Sequence, residues 1–351
     1  MRLVLARPGP SSIATFPDEA RLAIARDLCA RFPQARLRET ALVRAADLDA
    51  RADATGKSRI WLALEALQVT GSFKVRGALM ALERLRGTGI RAIAASAGNH
   101  GAGVAYASQA LGVPAVVVVP ETSPKTKRDK IAAFGAEIVV CPSPHYDDAE
   151  ALARELAQRE NAAFVSPYDD LDVLAGNGAS LGFEIVRALG GVPDAVVAPL
   201  GGGGLCTGLA VAMADESGAP LAETRIVWGA QSEASPAMAR SLESGRAVVR
   251  LTESIPTLAE GLEGGISFDG FARASASVAG VLVVDEADIA HAMAYGFKDL
   301  GLVLEGSAAV ALVPVLRGLP ERMRSGDVVI VLTGRNVDQE RLDRVLAGDV
   351  S

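Results

Sequence analysis

From about residue 90 onward, short apolar runs alternate with longer segments whose apolar residues recur at helical spacing. The runs over 93–95, 115–119, 138–140 and 162–165 are continuously apolar, with no polar residue at every second position. Strands of that kind are buried on both faces and belong to parallel sheets covered by helices. Helical periodicity fills the intervals 99–110, 125–134 and 147–159, and Gly112, Pro114, Gly135 and Pro142 punctuate the junctions. A second set follows with the same rhythm. It has a helix over 171–189, a strand over 195–198 and a helix over 205–214. Further strands are expected over 225–230, 281–284 and 328–332, and helices over 286–300, 307–316 and 338–346. Residues 232–277 carry several glycines and prolines without a clear period, and are expected to be irregular and to line an entrance. The pattern predicts an α/β protein with parallel sheets flanked by helices.

Composition narrows the picture. The chain has 351 residues, half of them hydrophobic (50%), which suits two packed lobes rather than one small core. Its net charge is 35 − 42 = −7 and no long basic run occurs, so nucleic acid is not an expected partner. The apolar run in Met1-Arg2-Leu3-Val4-Leu5-Ala6-Arg7-Pro8-Gly9-Pro10 is too short for a signal peptide, and no run is long enough for a membrane span. The three cysteines, Cys29, Cys141 and Cys206, lie far apart and suit buried thiols in a reducing cytoplasm. His100, His145 and His291 show no metal-ligand spacing, so no metal site is expected. The last helix ends close to residue 351, and no appended regulatory domain is expected.

Four segments carry candidate chemistry. In Thr70-Gly71-Ser72-Phe73-Lys74-Val75-Arg76-Gly77-Ala78 a lysine follows one aromatic among small residues. An apolar, compact setting favours the neutral amine, a nucleophile toward carbonyls, although such a lysine can also simply start a helix. Gly201-Gly202-Gly203-Gly204 lies between a strand and a helix, where bare backbone N–H groups close on an anion at the helix dipole's positive end. Neither a P-loop lysine nor a dinucleotide fingerprint accompanies it. Ser96-Ala97-Gly98-Asn99-His100-Gly101 occupies a similar junction and suits a carboxylate. His100 there is either a general base or, the favoured reading, a helix-start histidine bonded to backbone. Thr333 ends the last strand, where it faces a ligand or caps the next helix. A phosphate cradle, a carboxylate cradle and a sheltered lysine together point to pyridoxal phosphate.

With these motifs in this order, plus Ala175-Gly176-Asn177-Gly178 and Thr333-Gly334-Arg335-Asn336-Val337-Asp338, the chain resembles the fold-type II pyridoxal-phosphate enzymes. The branch it resembles contains the serine/threonine dehydratases and serine racemases, and the resemblance spans roughly residues 38–338. It implies a tryptophan synthase β-like fold of two domains, a large one of residues 1–90 with 167–351 and a small one of 91–166. It further implies that Lys74 is joined to the cofactor aldehyde, Phe73 packs on the ring and Asn99 bonds the ring hydroxyl. The N–H groups of Gly201, Gly202, Gly203, Gly204 and Leu205 should hold the phosphate, Ser96 to His100 the substrate carboxylate, and Thr333 the pyridine nitrogen.

The chain departs from the family pattern in four places. Ala97 stands where serine racemases carry a second serine, so racemisation should be poor. Gln231 replaces an acidic ligand of a divalent cation; Glu233 is a possible substitute, but loss of the site is the expectation. Glu305-Gly306-Ser307-Ala308 replaces Glu-Pro-Ser-Gly, leaving Glu305 to reach the site or to cap a helix. Leu64-Glu65-Ala66-Leu67-Gln68 replaces a lysine-containing lead-in. The resulting expectation is β-elimination of a 3-hydroxy amino acid to a 2-oxo acid and ammonia, with threonine or serine as default substrates. Phenylserine and 3-hydroxyaspartate stay open, with Arg240 or Arg246 as sources of a second carboxylate pocket. The alternatives are β-replacement or threonine synthesis, or a cofactor- or amino-acid-binding protein without turnover. The resemblance implies a homodimer or homotetramer.

Overall fold

Branched Val and Ile side chains suit extended backbone, and they form most of the eleven strands in the computed structural model, which describes residues 1–6, 14–251 and 255–349. Residues 7–10 of the N-terminal stretch and 252–254 of the segment expected to be irregular lie outside the described residues. The strands are β1 (Arg2–Leu5), β2 (Leu42–Arg44), β3 (Ser58–Leu64), β4 (Ala92–Ala95), β5 (Ala115–Pro120), β6 (Glu137–Cys141), β7 (Ala163–Phe164), β8 (Ala195–Pro199), β9 (Val227–Ser232), β10 (Gly280–Val284) and β11 (Gly326–Leu332). They build a seven-stranded sheet in the order β1-β10-β9-β8-β11-β3-β2 and a four-stranded sheet in the order β6-β5-β4-β7. Strands β10, β9, β8, β11 and β3 run parallel, and antiparallel β1 and β2 close the two edges. The smaller sheet is parallel throughout.

Every predicted strand is present, while β1, β2 and β3 were not anticipated. The helix expected over 171–189 is Leu171–Leu174, a π-turn at Ala175–Ala179 and Ser180–Leu189 in unbroken succession. The one expected over 307–316 is broken into Gly306–Ala309 and Val313–Arg317, with Pro314 in the first turn of the second piece. The segment over 232–277 is less irregular than expected. It holds helices Ala237–Ser244 and Phe268–Ser277, the latter begun by Ser267, whose Oγ accepts from the Gly270 N–H at 2.9 Å. Cys141 and Cys206 are buried free thiols, whereas Cys29 is only half-buried. Its Sγ lies 3.2 Å from Glu184 Oε1, and burial pushes the thiol up to about 12. Among the described residues no helix is long and apolar enough to cross a membrane.

The chemistry-bearing segments leave the carboxyl ends of parallel strands, the edge where open α/β sheets place ligands. Ser96 follows β4, Gly201 follows β8 and Thr333 follows β11.

Candidate active site

Lys74 is the first residue of helix Lys74–Glu83. The loop before it lies against the end of β11. Phe73 N–H donates to Thr333 O at 3.1 Å, Arg335 N–H donates to Gly71 O at 2.9 Å, and Ser72 forms an antiparallel bridge with Gly334. Gly71 has φ +79°, and a Cβ there would lie 2.5 Å from Asn336 Oδ1, so both conformation and space require glycine. Lys74 Nζ donates to Pro167 O at 3.3 Å and sits 5.2 Å from the Phe73 ring centroid. Burial lowers its pKa to about 8, with Glu305 opposing the shift.

The tetraglycine turn is beside this amine. Pro167 accepts from Lys74, and a Cβ on Gly202 would lie 2.9 Å from Cβ of the adjoining Tyr168. Gly203 takes φ +97° and starts helix Gly204–Ser217. A Cβ there would meet Gly270 O at 3.3 Å, so helix Phe268–Ser277 packs against the turn. The first N–H groups of a helix have no intrahelical acceptor, so a turn of this kind can serve as an anion cradle. Leu205 shares a buried cluster with Phe73, Ala198 and Val331, which ties the cradle to the lysine loop and β11.

The Ser96 segment opens helix Asn99–Leu111. Ser96 Oγ accepts from the Gly98 N–H at 3.1 Å. Asn99 Nδ2 donates to Glu305 at 2.8 and 3.0 Å, and its Oδ1 accepts from Asn336 Nδ2 at 2.6 Å. Burial pushes the Glu305 carboxyl up to about 7, although the Asn99 bond pulls it down. Of the two roles left open, Glu305 thus reaches the site. His100 is buried, and its Nε2 lies 3.0 Å from Val165 O. A carbonyl only accepts, so Nε2 carries the proton. Burial, and then the Lys74 charge, lower this imidazole to about 3. It is neutral and anchored to backbone, the helix-start arrangement.

Three features have roles that the sequence did not disclose. The Ala175-Gly176-Asn177-Gly178 run is a clamp: Asn177 Oδ1 accepts from the Gly77 N–H at 2.9 Å. A Cβ on Gly176 would lie 2.6 Å from Arg76 O, and one on Gly178 would lie 2.5 Å from Leu205 O. The lysine helix and the cradle helix therefore both press on this one segment. Second, Arg76 is fully buried and bonds Glu65, Glu184, Thr40 and Ser180. The unusual lead-in thus supplies Glu65 as a structural counter-charge. Third, Lys130, from helix Lys125–Ala133, donates to Asn336 Oδ1 at 2.6 Å and to Thr70 O at 2.9 Å. On a polar surface helix no spacing distinguishes it from a solvated lysine.

Gln231 spends its carboxamide on backbone, donating to Leu200 O at 3.1 Å and accepting from the Ala239 N–H at 3.1 Å. Among the described residues no three His, Cys, Asp or Glu side chains converge as metal ligands.

Pyridoxal phosphate suits these residues. The cradle is a turn that side chains would fill, the adjacent amine is poised near neutrality, and buried Ser72 Oγ and His100 Nδ1 have no protein partner. A parallel α/β crevice with such a lysine and cradle is the architecture of pyridoxal-phosphate enzymes of fold type II. Comparison with known proteins agrees: residues 34–334 match the family described as pyridoxal-phosphate dependent enzyme, and the chain belongs to it. It is 37% identical over 297 residues to the L-threonine ammonia-lyase of Thermotoga maritima, covering 82% of this chain and 69% of that one. It is 34% identical over 296 residues to the catabolic L-threonine dehydratase of Escherichia coli K12, covering 82% and 86%. Among solved structures, the T.th. threonine deaminase superposes with TM-score 0.79 at 35% identity, covering 92% of this chain and 99% of that one. The processed form of threonine deaminase isoform 2 from Solanum lycopersicum superposes with TM-score 0.81 at 28% identity, covering 99% and 92%.

Proposed function

We propose that this pyridoxal-phosphate enzyme is an ammonia-lyase acting on threonine or serine. The observation that carries the reading is the sheltered Lys74 amine, with a pKa of about 8, beside the tetraglycine turn. The names of the relatives, threonine ammonia-lyase, dehydratase and deaminase, support the substrate class. The two sheets are assigned to two domains, residues 1–90 with 167–351 and residues 91–166.

The backbone N–H groups of Gly201, Gly202, Gly203, Gly204 and Leu205 would hold the cofactor phosphate, Phe73 would pack on the ring and Thr333 would face the ring nitrogen. Asn99 bonds the ring hydroxyl, and the backbone from Ser96 to His100 grips the substrate carboxylate. When bound, pyridoxal phosphate supplies an electron sink for the bond broken at the α-carbon. The neutral Lys74 amine would take the α-proton as general base. The β-hydroxyl departs as water. Hydrolysis returns one water, so the net products are a 2-oxo acid and ammonia. Ala97 offers no hydroxyl on the opposite face, which leaves no acid there for racemisation.

Incubating the holoenzyme with threonine or serine alone tests this reading. The 2-oxo acid and ammonia are expected in equal amounts, and Lys74→Ala should lose both turnover and the visible absorbance. Turnover that requires a second substrate would favour β-replacement, and a spectral change without product would favour a binding protein.

A further inference from the structure

The strongest unexplained feature is a line of four side chains crossing between the two sheets. Lys130, beside the smaller sheet, donates to Asn336 Oδ1 at 2.6 Å. Asn336 Nδ2 donates to Thr70 O at 3.0 Å and to Asn99 Oδ1 at 2.6 Å. Asn99 Nδ2 then donates to both Glu305 oxygens. The backbone is shaped around this line, since a Cβ on Gly71 would strike Asn336 and one on Gly334 would strike Glu305.

A carboxamide can be turned end for end, exchanging donor and acceptor. Here its direction is fixed from both ends, because the Glu305 carboxylate accepts from Asn99 Nδ2 at one end and Lys130 donates to Asn336 Oδ1 at the other. An ammonium only donates, so Asn336 must turn its oxygen to Lys130. The Thr70 carbonyl only accepts, so the Asn336 nitrogen must occupy the other side. That nitrogen requires the Asn99 oxygen, which leaves Asn99 Nδ2 as the group directed toward Glu305 and the site.

We propose that Lys130 is a positioning residue, which anchors the Asn336 oxygen and through Asn336 holds Asn99 in place to present an N–H donor to the cofactor's ring hydroxyl. This rests on the reading above that Asn99 faces that hydroxyl. A fixed donor favours the ionised hydroxyl, because it bonds the charged form more strongly than the neutral one. Charged groups facing the line are Lys127, Arg335, Glu305 and Lys74.

The test is a pH titration of the holoenzyme's absorbance, following the visible band of the ionised ring hydroxyl against the near-ultraviolet band of the neutral form. Lys130→Met removes the donor to the Asn336 oxygen and so loosens Asn336 and, through it, Asn99. Its midpoint is expected to rise by about one pH unit, and Lys130→Arg, which keeps a donor, is expected to stay near the parent enzyme. Lys127→Met deletes a charge that also acts on Glu305 but makes no bond to either carboxamide, and should shift the midpoint clearly less than Lys130→Met. Asn99→Ala loses the donor outright and should shift at least as far as Lys130→Met. If Asn99→Ala shifts and Lys130→Met does not, the positioning role alone is overturned. If Asn99→Ala also leaves the spectrum unchanged, the assignment of Asn99 to the ring hydroxyl falls with it. Equal shifts in Lys127→Met and Lys130→Met, or a shift in Lys130→Arg matching Lys130→Met, would replace carboxamide orientation by simple charge or packing.

Discussion

At the scale of the residue, Lys74 shows how burial prepares an amine. Partial burial of the side chain beside Phe73 and Pro167 strips hydration from the ammonium, which lowers its pKa from 10.5 to about 8. The neutral amine is the form that attacks an aldehyde. The rate at which the apoprotein captures pyridoxal phosphate should therefore rise about tenfold per pH unit below pH 8 and level off above it. Stopped-flow absorbance measures this, and a rate that keeps climbing to pH 10 would mean an ordinary, solvated lysine. The sign for stability follows from linkage. Between about 8 and 10.5 the unfolded chain binds the extra proton, so this group makes the apoprotein more stable as pH rises through that window. Lys74 was legible because its neighbours are small and apolar. Lys130 was not, because its role depends on Asn336 and Thr70, which are remote in sequence.

At the scale of the element, the π-turn at Ala175–Ala179 is where the helices of the site are brought together. Its glycines permit backbone-to-backbone approach. Gly178 lies against Leu205 and Gly208, and Gly208 in turn lies against the Leu174 carbonyl. Gly178→Val should force the cradle helix outward. Overpacking of this kind costs about 1–3 kcal/mol, so the apoprotein should melt at a lower temperature and bind pyridoxal phosphate more weakly. Unchanged values of both would show that the two helices have slack. The run Ala-Gly-Asn-Gly was visible as a motif, but its use was not. Glycines in a helical pattern look like weak points until the opposing backbone is known. The same limit hid the use of helix Phe268–Ser277, whose Gly270 and Ala274 pack on the cradle.

At the scale of the whole molecule, the crevice is closed by side chains from both sheets. Asn99 and Lys130 come from the smaller-sheet side, and Glu305, Asn336 and Thr70 from the other. Lys127 adds an ion pair to Glu260 at 3.0 Å across the same gap. The larger sheet joins its parts without an acidic residue at position 231. Gln231 instead bridges Leu200, at the base of the cradle, to Ala239 on helix Ala237–Ser244. A neutral amide already satisfied by backbone offers little to a divalent cation. Treatment with a chelator should thus leave both turnover and melting temperature unchanged. A loss restored by magnesium would show that Glu233 or another oxygen donor rebuilds the site.

The sequence by itself determined the α/β class, the segments of strands β4 to β11 and the positions of the lysine and glycine turns. Those features are local: continuous apolar runs, helical spacing and glycine-rich junctions need no distant partner to be recognised. Edge strands β1 and β2 are short and partly exposed, so their apolar signal is weak, and only pairing with β10 and β3 defines them. Tertiary structure alone decided the partners of Arg76, the neutral state of His100 and the bond pattern from Lys130 to Glu305. Burial and hydrogen bonding set ionisation and amide direction, and both depend on which remote segments the fold brings within three ångströms or so of one another.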